Sequence, residues 1–132
     1  MNLTLNDVPH LGMGTWKMGG AWDRDDSHDE ENIRALTYSL SLGYRIIDTA
    51  EMYGAGHTET LVGSAIKSMP REQLYVVSKV WHEHLSYEAT LHAAEQSLER
   101  LDTDYIDLYL IHWPDDFSPL SETFRAFQDL NH

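Results

Sequence analysis

The sequence predicts an α/β protein made of consecutive βα units on a parallel sheet. Three observations carry this reading. Short apolar runs begin near residues 10, 44, 74 and 105, and a spacing of roughly 30 residues matches one βα unit each. The stretches between them place apolar residues at helical spacing. The fourth run, Asp104–Ile111 (DYIDLYLI), is almost continuously apolar, as strands are when a sheet is covered on both faces.

Each element has its own signal. Residues 2–8 alternate polar and apolar (Leu3, Leu5, Val8) and fit a short cap or an arm. His10–Thr15 (HLGMGT) reads as the first strand, with glycines suited to close packing. A polar loop follows, holding Gly19, Gly20 and the acidic run Asp23–Glu31, most simply a solvated surface. Ser27 with Glu30 three residues later forms a capping-box pattern. The first helix carries Ile33, Leu36 and Leu40 and stops at Gly43, where a left-handed residue fits. Tyr44–Asp48 is the second strand. The second helix, from about His57 to Ser68, buries Leu61, Val62, Ala65 and Ile66 and precedes Pro70. Leu74–Lys79 is the third strand. Ser86 caps a third helix with Leu91, Ala94, Leu98 and Leu101 on one face. After the fourth strand, Ser118-Pro119 opens a last helix whose face is Leu120, Phe124, Phe127 and Leu130. The period alone fits either an open four-stranded layer or half of a (β/α)8 barrel, whose full form needs about 250 residues.

Composition narrows the function classes. The chain has 132 residues, an apolar share of 42% and no cysteine, so it suits one domain without disulfides or thiolate metal sites. Net charge is −13, from 9 basic and 22 acidic residues, which argues against nucleic acid as a partner. No apolar run reaches membrane-spanning length and the N-terminus lacks a signal-peptide pattern, so a cytoplasmic protein without a membrane partner is expected. No G-x-G-x-x-G fingerprint follows the first strand; Gly12-Met13-Gly14 is a lone glycine pair.

The chemistry gathers at strand ends. Asp48 ends the second strand, with Tyr53 five residues on; Lys79 ends the third and His112 follows the fourth. Parallel strands bring these ends to one rim, where α/β proteins keep their active sites. Singly, each has an ordinary role: a turn-capping Asp, a packing Tyr, a solvated Lys, a structural His. Together they suit carbonyl reduction, which needs a proton donor beside a hydride donor. An unperturbed Tyr has a pKa near 10, and a lysine ammonium beside it stabilises phenolate and makes a better acid. Asp48 would hold Lys79, and His112 would orient the substrate oxygen. His82-Glu83-His84 has metal-ligand residue types, with His57 or Glu51 as a third, but no third ligand is signposted and the stretch reads as a polar loop, not a metal site.

Asp48-Thr49-Ala50-Glu51-Met52-Tyr53-Gly54 resembles the aldo-keto reductase signature D-T-A-x-x-Y-G. Gly12–Trp16, Glu59-x-x-x-Gly63, Val77–Trp81 and Asp104–Pro114 resemble the family's first-strand, second-helix, third-strand and fourth-strand patterns. The similarity covers nearly the whole chain, which is therefore identified as a partial domain of that family over residues 1–132. The resemblance implies the first four βα units of a TIM (β/α)8 barrel, a half-barrel. It implies the tetrad Asp48, Tyr53, Lys79 and His112, with Tyr53 the general acid and His112 also contacting substrate. It implies NADPH as hydride donor, met by Gly14, Thr15, Trp16 and Asp48. It implies an aromatic substrate pocket at Trp16, Trp81 and Trp113, taking small aldehydes or ketones.

The family's fifth to eighth strands, with most of the NADPH contacts, have no counterpart in this sequence. The expectation is therefore weak or absent NADPH binding and negligible reduction by this chain alone, with self-association through open barrel edges. The alternative is a non-catalytic fragment or an interaction module. A channel-associated subunit of the same fold is disfavoured, since nothing points to a membrane partner.

Overall fold

The structure is a computed structural model describing residues 6–116 and 120–132. Strands β1 (Gly12–Gly14), β2 (Ile46–Asp48), β3 (Tyr75–Val80) and β4 (Leu108–Ile111) form one parallel sheet in the order β1-β2-β3-β4. Helices α1 (Asp29–Ser41), α2 (His57–Ile66), α3 (Tyr87–Leu101) and α4 (Leu120–Leu130) alternate with them. Sequential order without reversal is single winding, so the helices fall in one layer: α1 packs on α2, α2 on α3 and α3 on α4. Sequential strands with one helix layer are the winding of the expected half-barrel.

The core lies between that layer and one sheet face. Leu36 and Leu40 from α1, Ile47 from β2, Val62, Ala65 and Ile66 from α2, Val76 from β3 and Leu101 from α3 form its main cluster. A smaller cluster joins Val80, Leu85 and Ala93 to Tyr109, Ile111 and Phe127. The opposite sheet face points toward the would-be barrel axis. Leu108 and Leu110 lie there, 40% and 37% exposed. The apolar run of β4 was expected to be covered on both faces; within this chain only its Tyr109–Ile111 side is.

Residue register sets the site. Gly14 pairs with Asp48, Asp48 with Val77, and Lys79 with Leu110. Side chains alternate faces along a strand. Asp48 and Lys79 therefore share the axial face, while Ser78 turns to the helices and donates to Glu59 of α2 at 2.6 Å. Glu59 is fully buried and also accepts from Arg100 Nε at 2.7 Å. Close helix contact makes this pairing possible: a Cβ on Gly63 would lie 2.7 Å from the Arg100 carbonyl oxygen.

Several local expectations change. Ser27 does not cap α1: its hydroxyl donates to Asp25 at 2.5 Å, the helix starts at Asp29, and His28 at the cap makes no side-chain bond. The charge complement to the helix dipole comes from Asp29, Glu30 and Glu31 in the first turn. Ser86 does cap α3, accepting from Ala89 N–H at 3.3 Å. Strands β1, β2 and β4 are shorter than their apolar runs, β3 lies one residue later than expected and ends at Val80, and α2 ends at Ile66. The buried side of α3 is Thr90, Ala93, Ala94, Ser97 and Leu101, with Leu91 and Leu98 half-buried. On α4 the small residues Thr123 and Ala126 are buried, while Phe124 and Leu130 stand open. The expected Ser118-Pro119 start, and Leu3 and Leu5, lie outside the described residues.

Candidate active site

Asp48 comes to the rim as the last residue of β2, and Lys79 reaches it from β3. Lys79 Nζ lies 2.9 Å from Asp48 Oδ1 and donates to Oδ2 at 3.0 Å. It also donates to the Thr49 carbonyl at 2.8 Å. Three acceptor oxygens thus fix the ammonium, whose side chain is only 14% exposed. A charge this buried needs such partners.

Tyr53 follows on a 3-10 turn, Tyr53–Gly56, in which Gly54 and Ala55 adopt left-handed backbone angles. Gly54 meets that requirement and a second one: a Cβ there would collide with the Gly19 carbonyl oxygen. The turn places the Tyr53 ring with its centroid 5.2 Å from Lys79 Nζ and 5.6 Å from the His112 ring. His112 continues the β3–β4 ladder, its N–H donating to the Val80 carbonyl at 3.0 Å. Its Nδ1 is buried and has no hydrogen-bond partner among the described residues. Burial, then the positive Lys79, lowers the His112 pKa below its ordinary 6.5. The imidazole is therefore neutral at pH 7, with one ring nitrogen as N–H donor and the other as acceptor. All four residues placed at strand ends by the sequence meet at one rim.

The aromatic residues form the surrounding wall. Trp16 lies 5.0 Å from the Tyr53 ring, Trp81 5.2 Å from His112, and Trp113 4.8 Å from Trp81. Trp22 was given no role from the sequence; it lies in the polar loop just before the acidic run Asp23–Glu31. It makes edge contacts with Trp16, Trp81 and Trp113. Its only sequence signal was a bulky aromatic inside a polar, glycine-bearing loop.

Glu51 was likewise given no role beyond a metal alternative. Its carboxylate is buried and accepts from the Trp81 N–H at 2.6 Å and from His84 Nδ1–H at 2.7 Å. It thereby ties the loop after β2 to the loop after β3. His82 instead packs its ring 4.4 Å from Trp81. The two histidines of the His82-Glu83-His84 stretch therefore serve different neighbours. Among the described residues the grouping with metal-ligand spacing is Asp26, Asp29 and His57. There His57 Nε2–H donates to Asp29 at 2.8 Å while Arg24 pairs with Asp26, an arrangement that pins the loop to α2.

Around the expected cofactor positions the chain is partly open. A Cβ on Gly14 would meet nothing within 4 Å among the described residues, which leaves room on the axial side of β1. Thr15 is buried, with its hydroxyl donating to the Asp48 carbonyl at 2.9 Å. That side chain shapes the β1–β2 junction and is not free to grip a ligand.

Known proteins are similar in sequence and fold over most of the chain. The chain is 42% identical to the methylglyoxal reductase YeaE of Escherichia coli, covering 93% of itself and 41% of that protein. It superimposes on a thermostable aldo-keto reductase solved with the inhibitor epalrestat, with TM-score 0.91 and 52% identity over 92% of this chain and 44% of that one. It also matches an aldo-keto reductase from Klebsiella pneumoniae solved in complex with NADPH, with TM-score 0.84 and 42% identity over 93% of this chain and 41% of that one. The chain thus spans about two fifths of the length of these relatives. The family model for aldo/keto reductases matches residues 10–132, and the chain belongs to the aldo/keto reductase family.

Proposed function

We propose that this chain carries the proton-delivery machinery for reducing small aldehydes and ketones to alcohols. The observation that carries the reading is the contact chain Asp48–Lys79–Tyr53–His112 at the carboxyl end of the sheet. A carbonyl oxygen between Tyr53 and His112 would accept a hydrogen bond from the phenol and from the neutral imidazole. As negative charge grows on that oxygen, the Tyr53 hydroxyl transfers its proton to it. Lys79, held by Asp48 and the Thr49 carbonyl, keeps a positive charge beside the phenolate that remains.

NADPH, when bound, supplies the hydride to the carbonyl carbon. The solved relative in complex with NADPH and the open flank of Gly14 support its use here. Gly14, Trp16 and Asp48 would border it, and Thr15 would hold the border in shape. Methylglyoxal, which names the YeaE activity, fits a small-carbonyl substrate class.

Turnover by this chain alone is expected to be slow, so the test is NADPH oxidation with methylglyoxal at high protein concentration, wild type against Tyr53→Phe. Loss of the general acid lowers the rate by about 10²–10⁴-fold with the fold intact. A variant retaining most of the wild-type rate would overturn the assignment.

A second reading concerns assembly. Leu108 and Leu110 lie open on the axial face, and β1 and β4 are the outer strands of the sheet among the described residues. Open strands and a bare apolar face favour pairing of two copies. Light scattering should give a dimer mass; a monomer at high concentration would sink this reading.

A further inference from the structure

All four tryptophans of the chain gather at one rim. Three stand beside strand ends. Trp22 instead comes from the middle of the loop between β1 and α1. The ring contacts run from Trp16 to Tyr53 at 5.0 Å, Tyr53 to His112 at 5.6 Å, and His112 to Trp81 at 5.2 Å. They continue from Trp81 to Trp22 at 6.1 Å and from Trp22 back to Trp16 at 6.1 Å. The circuit of five rings closes on Trp22. Without that residue it is an open crescent with the acid and the histidine at its base.

The loop that carries Trp22 is fastened on both sides. Gly54 N–H donates to the Ala21 carbonyl at 2.7 Å, one residue before it. Thr58 Oγ donates to the Met18 carbonyl. Asp25 N–H donates to Gly19 at 2.9 Å, and buried His57 holds Asp29 and Asp26. Trp22 itself is 58% exposed, so it presents one face to the circuit and one to solvent. A bulky, rigidly mounted ring at the open side of a reaction site sets what passes. Neighbouring centroids no more than 6.1 Å apart leave no gap between Trp22 and the rings beside it, so the bulk of the Trp22 indole stands in the way of a wide ligand.

We infer that Trp22 is a specificity-determining residue that closes the aromatic circuit and restricts the site to carbonyls with short substituents. The inference rests on the carbonyl-reducing reading above. It adds a residue and a size limit to it.

The test reads binding, so it does not depend on turnover. The wild type, Trp22→Ala and Trp22→Phe are titrated with hydroxyacetone and with 2-acetylnaphthalene, both ketones. The reporters are the indole N–H resonances of Trp16, Trp81 and Trp113, which every variant retains. These resonances also show whether each variant is folded. In the wild type, nuclear Overhauser contacts between the Trp22 indole and Trp16 and Trp81 are expected. Trp22→Ala should improve the affinity for 2-acetylnaphthalene relative to hydroxyacetone by about tenfold or more, the discrimination that a change in pocket size gives. Trp22→Phe should fall between. Binding of both ketones with an unchanged ratio, or absence of the Trp22 contacts, overturns the inference and leaves the carbonyl reading standing. Failure of both ketones to bind any variant overturns the two together.

Discussion

Removing Arg100 tests the account of how the sheet is held on its helices. Glu59 is fully buried, and its carboxylate oxygens are matched by the Ser78 hydroxyl at 2.6 Å and Arg100 Nε at 2.7 Å. Arg100→Ala keeps a good helix former in α3 but leaves a buried carboxylate facing one hydroxyl. Breaking a buried pair from one side costs about 3–5 kcal/mol. The Arg100 side chain is 27% exposed, so water reaches the vacated position, and the lower end, about 3 kcal/mol, is expected. For a domain of this size that is a fall in Tm of roughly 10 °C. Urea denaturation followed by far-UV circular dichroism measures it. The double variant Glu59→Gln/Arg100→Ala removes the charge as well and should recover at least half of the loss. A single variant within about 1 kcal/mol of wild type, or a double variant no better than the single, would refute the buried-charge argument.

The remaining predictions concern His112. Its imidazole should titrate below 6.5 in a carbon-detected NMR titration, because burial and Lys79 both oppose the charged form. Since the folded-state value is depressed, the stability linked to this group is present above the unfolded value and is lost as pH falls below about 6.5; His112→Gln should flatten that part of a Tm-against-pH curve. Lys79→Met removes the neighbouring positive charge and should move the His112 midpoint upward, and an unchanged or lower midpoint would show that burial alone sets it.

Much of the site was legible because its residues are tied to regular elements. Asp48, Lys79 and His112 end or follow strands, and strands of one parallel sheet have their ends together, so linear positions translated directly into proximity. Tyr53 was legible through the signature that contains it. What stayed hidden depended on irregular backbone. Trp22 reaches the rim only because Lys17, Gly19 and Gly20 take positive φ angles and fold the loop back over Tyr53, and no periodicity encodes that path. Glu51 sat in plain view within the signature, yet its partners Trp81 and His84 lie about 30 residues on, and a carboxylate in a loop carries no mark of burial. Ser27 had the right spacing for a cap but a nearer partner in Asp25, which its hydroxyl took. The open side of β4 was misjudged for a different reason. Continuous apolarity reports that both faces of a strand need cover, and is silent about which segment provides it.

Gly54 joins two parts of the site mechanically. Its N–H holds the loop bearing Trp22, its bare α-carbon lets that loop's Gly19 carbonyl rest against it, and its backbone continues from Tyr53. Tyr53 and the loop bearing Trp22 are therefore joined through one residue. A displacement of Trp22 would load the turn that holds the phenol, through one hydrogen bond and one close backbone contact.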